Sequence, residues 1–510
     1  MSFDVAIIGY GPVGALTALS LADAGLRVVI LERSTEPTNL PRAVGLDGET
    51  LRAFQRLGLD DEVSGLCQPP RESDEIHFTN SRREKIFGSD LSSIGPNGWR
   101  DILFFDQPEF EAALRRIVAG NDRIDVLLGH DVVAVRQDAD GVSVVSAAHG
   151  SSNQNEHRAA FAIGCDGASS FVRRTIGAGW ESLGYDQDWL VLDIVQKTGA
   201  KLPLATMQVC DPARLASYIC VKDPNRRWEF QLLEGETRDE MLAPEKIREL
   251  LDPWIAPEHY EIKRSAVYQF HAATADVWRV GRIFLAGDAA HQTPPFLGQG
   301  LNAGFRDAVN LGWKIPLVLA GVCDESLLES YQTERDPHAR ELVDRAVSVG
   351  KLMETLAARE AGLPDPHPPE SIDIDIAGPI VPPMRAGIWI PEQAAADQRV
   401  GGLLRQPAVR DSNGIEQRLD EFLGRGFCLV GRKSTDLALG DEANAVFQRL
   451  GGRRVVLEDL QVVSGDLDAA FDAHAAVVLR PDRYIFGVVD ENWNLDRLMI
   501  ELGRQLRLVE

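Results

Sequence analysis

Apolar and polar positions follow two rhythms along the chain. Residues 3–8 (FDVAII) are a short β-branched run, residues 15–24 space their apolar side chains as a helix does, and residues 26–31 (LRVVIL) are a second run. The pattern predicts strand, helix and strand, with Gly25 as the helix C-cap. Residues 132–136 and 142–145, joined at Asp140-Gly141, predict a β-hairpin. Short β-rich runs at 189–195, 215–221 and 228–233 predict an antiparallel sheet, joined by residues 75–104. Helical spacing covers 303–320 and 325–358, the second with Pro337 inside as a kink. Residues 362–384 are rich in Pro and acid, a linker signal, and strands alternate with helices from about 395 onward.

The first predicted turn reads Gly9-Tyr10-Gly11-Pro12-Val13-Gly14, and Glu32 follows 23 residues after Gly9, at the end of the second strand. Strand, G-x-G-x-x-G, helix, strand and acid make a complete dinucleotide-binding pattern. Gly9 is expected to make the tight turn, Gly11 to admit a pyrophosphate, and Gly14 to let helix pack on strand. Free N–H groups and the positive dipole end of the helix, entered at Pro12, suit a diphosphate. Glu32 would accept hydrogen bonds from ribose hydroxyls, with Arg33 beside it in the same cofactor set. This pattern alone leaves NAD and FAD open.

Two later segments narrow the choice. Residues 161–170 (FAIGCDGASS) are a strand followed by a DG turn at Asp166, and residues 282–291 (RIFLAGDAAH) are a strand ending in Gly287-Asp288. The chain then runs through Pro294-Pro295 to Gly298-Gln299-Gly300-Leu301-Asn302, which opens a helix. Together with the first motif, these resemble the FAD-dependent aromatic hydroxylases (group A flavoprotein monooxygenases). Further resemblance, to 3-(3-hydroxyphenyl)propionate hydroxylase and phenol hydroxylase types, lies in Leu40-Pro41-Arg42-Ala43, in Tyr268-x-x-His271-Ala272, in residues 298–307 (GQGLNAGFRD) and in residues 480–483 (RPDR). No second complete G-x-G-x-x-G exists, because Leu429 stands where Gly424-Arg425-Gly426 would need its third glycine.

The resemblance implies a discontinuous Rossmann-like FAD-binding domain (1–74, 105–180 and 271–360), an interleaved antiparallel-sheet substrate domain (75–104 and 181–270), a linker (361–394) and a thioredoxin-like C-terminal domain (395–510). The expected class is therefore α/β, or α+β overall. By the same resemblance Asp288 meets the FAD ribityl chain, as does Gln107, and Arg42 contacts the flavin. Pro295 and the stretch from Gly298 to Asn302 are expected at the flavin, where backbone N–H groups would stabilise negative charge on the ring. Asp166 supports the FAD site. The implied reaction is hydroxylation of a phenolic ring through a flavin C4a-hydroperoxide, with bound FAD, transient NADH or NADPH, and O2. A 3-hydroxyphenylpropionate-like substrate is implied. A large polyketide hydroxylase, an FAD-linked reductase that uses no oxygen, and a silent FAD scaffold stand as alternatives.

His271 could take the proton of a bound phenol, or could be a satisfied core histidine without a partner. Catalytic roles are assigned to His271, Arg42 and Pro295. Tyr185, Arg227, Trp228 and Tyr268 are further substrate-site candidates. Arg227 would pair with a substrate carboxylate, unless Arg226-Arg227 is a solvated pair. His291 is treated as structural.

Composition removes other classes. The 510 residues carry 53 Lys+Arg and 77 Asp+Glu, a formal charge of −24 with no basic run, which argues against nucleic-acid binding. The longest later apolar stretch, residues 315–322, is far short of the about 20 needed to span a bilayer. Six cysteines show no C-x-x-C pair and no metal-ligand spacing, so reduced thiols, no metal and a redox-silent Cys428 are expected. A cytoplasmic enzyme, with a homodimer as an open expectation, completes the reading.

Overall fold

The computed structural model describes residues 2–37, 42–71, 74–151, 153–372, 381–397, 399–467 and 470–509. Five parallel strands in the order Ile283–Leu285, Gln154–Gly164, Ser2–Ile8, Val28–Glu32 and Ile124–Leu128 form the first sheet. Near-continuous apolar runs such as VVIL of residues 28–31 are buried because both faces of this sheet are covered. The expected hairpin is present as His130–Asp138 and Gly141–Ala148, which extends the same sheet antiparallel through Gln154–Gly164. Helices Pro12–Asp23 and Gly300–Leu319 pack on one face so closely that a Cβ on Gly312 would stand 2.8 Å from Ser20 Cβ.

The second sheet is antiparallel apart from one parallel pair, and contains Glu75–Thr79, Lys85–Asp90, Trp180–Gln196, Thr206–Val209, Ala216–Ile219, Asn225–Gln231, Tyr260–Ala275 and His291–Gln292. Two of the expected domain boundaries fall at or inside its strands. Tyr260–Ala275 runs unbroken through 270/271, and Trp180–Gln196 begins at the other boundary. The reason is physical: these two long strands pair over most of their length, so the ladder carries the chain from one layer to the other without a loop.

Residue 330 begins one helix, Ser330–Glu360, that continues through Pro337. The tail forms a mixed four-stranded sheet ordered Arg453–Val456, Cys428–Gly431, Ala476–Leu479, Ile485–Val488, flanked by Asp441–Arg449 and Leu495–Gln505. Part of the expected linker, residues 373–380, lies outside the described residues. Its last part is not solvated: Met384, Ile388, Trp389 and Ile390 are buried in the core of the tail, and His338 bonds the Pro382 carbonyl at 2.8 Å.

The tail is fastened by buried charge. Arg480 donates to Glu334 Oε1 at 2.9 Å and Oε2 at 2.8 Å, and to Asp482 at 2.6 Å, while Lys314 Nζ lies 2.8 Å from Glu334. Burial opposes ionisation of Glu334, but Arg480 and Lys314 hold its carboxyl down at about 2. Tyr484 donates to Glu49 at 3.1 Å, Glu49 also pairs with Arg306 at 2.6 Å, and Arg306 bonds Asp47. A continuous polar chain thus runs from the tail to the wall of the cleft described next.

Candidate functional site

The carboxyl ends of the parallel strands share one edge, where Cys165 N donates to Ile8 O at 2.7 Å and Ala286 N to Gly164 O at 2.9 Å. Ligands of open parallel sheets bind beyond this edge. A cleft of about 700 Å³ lies there, walled on the other side by the antiparallel sheet.

Two helices end in this cleft, and neither N-terminus has a side-chain cap. Gly11, at the start of Pro12–Asp23, and Gly300, at the start of Gly300–Leu319, line it, and an added Cβ at either would meet no atom within 4 Å. Gly298, with φ +64°, is equally open. Three open glycines lining the cleft, beside two helix N-termini without side-chain caps, make a cradle that fits the diphosphate and an anionic ring edge of FAD. The other glycines of the motifs have a different function. A Cβ on Gly9 would lie 2.4 Å from Cys165 O, and one on Gly14 would lie 2.2 Å from Gly9 O, so both are required for close backbone packing and neither lines the cleft.

Of the residues singled out from sequence, Gly11, Pro12, Arg42, Gln107, Arg227, His271, Asp288, Pro295, Gly298, Gly300, Leu301 and Asn302 line the cleft. Leu40 and Pro41 of the PRA segment lie outside the described residues. Gln107 Oε1 accepts from Arg42 N at 2.9 Å and Ala43 N at 2.6 Å, so its amide clamps the loop that carries Arg42. Asn302 accepts from Asp47 N and Thr50 Oγ and donates to the Gly45 and Gly298 carbonyls, so its amide is spent on tying that loop's continuation to the helix. Asp288 opens on the cleft, yet protein surrounds it closely enough that burial lifts its pKa above the ordinary carboxylate value, against the pull of His291 and Arg42.

Other expectations are corrected. Glu32 does not line the cleft; it sits beside the glycine turn and accepts from Tyr10 N and Ser34 N, both at 2.8 Å, while Arg33 is exposed on the surface. Asp166 spends its carboxylate locally, on Ser170 Oγ at 2.5 Å and Val172 N at 3.0 Å, as a turn aspartate does. Gly287 lies behind the cleft wall, against Val13. Trp228 is wholly buried on the far face of its strand, with Tyr218 and Trp254, because side chains alternate and Arg227 takes the cleft face. Tyr185 is buried behind Phe296, and Tyr268 lies under Arg264. Arg226 and Arg227 are not solvated: both are buried. Arg227 donates to Asp193 at 2.7 Å and to the Arg42 carbonyl at 2.6 Å, with Arg264 on the other oxygen of Asp193 at 2.7 Å. Strand register places Arg227, Asp193 and Arg264 in one cross-strand row.

Several residues in the site had no signal in local sequence. Register pairs His271 with Asp186, and His271 Nδ1 meets the Asp186 carboxylate at 2.5 Å, which supplies the partner that the sequence lacked. His291 is structural, as expected, and bonds Asp307 at 2.7 Å. Asp307 also accepts from Gly287 N and Arg335 and so holds the GD turn in place. Burial opposes the charge on Asp307, but His291 and Arg335 keep its carboxyl below the usual range. Thr206, Gln208, Ser217 and Glu229 form a buried polar stretch of the sheet wall. Burial holds the Glu229 carboxyl up at about 7, against the attraction of Arg227. Cys428, by contrast, is buried in the tail with its thiol pushed up to about 12. Among the described residues no group of acids, histidines and cysteines could hold a metal, and no helix is long and apolar enough to cross a membrane.

Comparison with known proteins agrees with this geometry. A family model described as an FAD binding domain matches residues 2–346, and one described as the HcaD C-terminal domain matches residues 401–504. A probable NADH-specific resorcinol 4-hydroxylase of Rhodococcus jostii is 32% identical over 520 residues, covering 98% of this chain and 94% of the relative. A 3-(3-hydroxy-phenyl)propionate/3-hydroxycinnamic acid hydroxylase of Escherichia coli is 32% identical over 518 residues, covering 95% and 91%. The solved structure of aklavinone-11 hydroxylase with FAD and aklavinone superposes with a TM-score of 0.80 over 99% of both chains at 22% identity, a likeness of fold. With an FAD-binding model over two thirds of its length, relatives matched end to end, and a cleft built to cradle the cofactor, the chain belongs to the FAD-dependent aromatic hydroxylases.

Proposed function

We propose that this hydroxylase acts on a single-ring phenol, draws its electrons from NADH, and works in the cytoplasm, where that reductant is supplied. The observation that carries the reading is the shared cleft: both uncapped helix N-termini and the sheet wall bearing His271 open into one space of about 700 Å³. The single-ring reading rests on the resorcinol and hydroxyphenylpropionate hydroxylases among the relatives. The NADH preference rests on the Rhodococcus relative.

FAD, when bound, supplies the hydride and oxygen chemistry. The chain supplies position, dryness and a proton acceptor. In this reading Gly11 and Val13 present N–H groups to the diphosphate, with Pro12 fixing the helix start between them, Asp288 meets the ribityl hydroxyls, and Pro295 with residues 298–302 lies against the ring. Arg42, whose loop Gln107 clamps, lines the cleft and would bring its charge to the cofactor. Asp186 holds His271 through Nδ1, which leaves Nε2 to accept the phenolic proton and so enrich the ring for attack.

The test is product formation under 18O2 with NADH and a panel of monocyclic phenols. One labelled oxygen per product, with NADH oxidation rising when a phenol is added, is expected. NADH oxidation coupled only to an artificial acceptor, with no label incorporated, would overturn the reading.

A further inference from the structure

Glu229 stands out among the acids of the cleft. It is 5% exposed, it lines the cavity, and among the described residues no protein group hydrogen-bonds its carboxylate. The nearest cation, Arg227 NH1, is 3.8 Å away, beyond hydrogen-bond reach, and that guanidinium is already shared by Asp193 and the Arg42 carbonyl. Arg264 likewise goes to Asp193. A buried carboxyl that has an ion pair but no protein hydrogen bond is costly, and the cleft that Glu229 lines can supply that bond.

The neighbours define what fits. Strand register lines up Gln208, Ser217 and Glu229 across three adjacent strands, a row about 10 Å long at the usual strand spacing. Ser217 Oγ donates to Gln208 Oε1 at 2.5 Å, which leaves the Gln208 amide NH2 as a donor on the same wall. The row thus offers a carboxyl at one end and an amide donor at the other. A hydroxyl group satisfies such a wall, because it both donates and accepts. A carboxylate does not: it would bring like charge to an acid already short of compensation.

The geometry points to Glu229 as a specificity-determining residue that takes a hydrogen bond from a hydroxyl of an uncharged, dihydroxylated ring and disfavours phenols whose side chain ends in a carboxylate. This rests on the hydroxylase reading above and chooses within it. It also gives Arg227 a different part from the one its charge suggests, since that guanidinium orders the wall and the Arg42 loop and does not receive a substrate anion.

The test uses the FAD-loaded enzyme with resorcinol and with 3-(3-hydroxyphenyl)propionate. Flavin content and reduction by NADH are measured first. An enzyme that holds no flavin or is not reduced refutes the hydroxylase reading, whatever Glu229 does. Binding is then read from the perturbed flavin absorbance, and turnover from kcat/KM. The wild type is expected to prefer resorcinol by at least tenfold in both Kd and kcat/KM. In Glu229→Gln, which keeps the shape and removes the charge, that ratio is expected to fall at least tenfold, through weaker resorcinol and stronger propionate binding. A wild type that prefers the propionate, one that binds neither ligand, or a Glu229→Gln variant that changes both ligands by the same factor each overturns the proposal.

Discussion

Gly304→Ala places one methyl group where three cofactor motifs meet. Gly304 lies in the first turns of Gly300–Leu319, and its added Cβ would stand 2.6 Å from Val13 Cγ2 and 3.1 Å from Gly287 Cα. Ordinary contact begins near 3.4 Å, so the first distance is about 0.8 Å short. Val13 is β-branched and stiff on its own helix, and Gly287 is backbone, so neither yields cheaply. Overpacking of this kind costs about 1–3 kcal/mol. With neither neighbour able to yield, the upper half of that range applies, and the about 1 kcal/mol of helix propensity that alanine returns leaves a net cost of about 1–2 kcal/mol. Because the clash spreads the two helices whose N-termini face the cleft, the loss should appear in FAD affinity, as a Kd raised about 5- to 30-fold. Titration of apo-enzyme with FAD, followed by flavin fluorescence, measures it. Adding Val13→Ala removes the 2.6 Å contact and should recover most of the loss. Affinity within twofold of wild type in Gly304→Ala, or no recovery in the double variant, would refute the packing argument.

Three further outcomes follow from the structure. Glu229 binds its proton more tightly folded, at about 7, than the ordinary 4.5, with Arg227, Asp193 and Arg264 facing it; its contribution to stability is therefore undiminished below about pH 4.5 and is lost as pH rises through 7, by up to about 3 kcal/mol. Urea unfolding at pH 5 and pH 8 should show that loss in the wild type and not in Glu229→Gln, and parallel profiles would count against it. Arg480→Met strands Glu334 and Asp482 in the interior and should destabilise the tail by about 3–5 kcal/mol; limited proteolysis should then cut faster between residues 381 and 397, and an unchanged cleavage rate would dismiss the buried network as a fastener. His271→Asn should lower kcat with a phenol about 100-fold while FAD affinity stays constant, and a variant retaining half its kcat would remove His271 from proton transfer.

Local patterns in the chain were enough to reach the parallel sheet, the glycine turn, the hairpin at Asp140-Gly141 and the helices of the tail, because each is specified by residues close in sequence. The substrate wall was not legible in the same way. Glu229, Ser217 and Gln208 meet through strand register, and His271 finds Asp186 85 residues away. Asp166 has a turn-and-cap role with Ser170, four residues on, which the D-G-x-x-S spacing carries in sequence. Trp228 could have been excluded from sequence, since the alternation of a strand forbids it the face that Arg227 occupies. The boundary expected at 270/271 falls inside a strand, because a strand and not a loop crosses between the layers there.

The ionic fastening of the tail has a consequence for how such chains are inherited. Arg480, Asp482 and Tyr484 come from the tail, while Lys314, Glu334, Glu49 and Arg306 come from the body, and the two sets neutralise each other in the interior. A tail exchanged between relatives without its matching body residues would bring an uncompensated charge into a dry interface. The segment therefore behaves less as a detachable module than as one half of a lock. Any recombination event that separates the halves near residue 400 must restore the whole set to leave a working cofactor site.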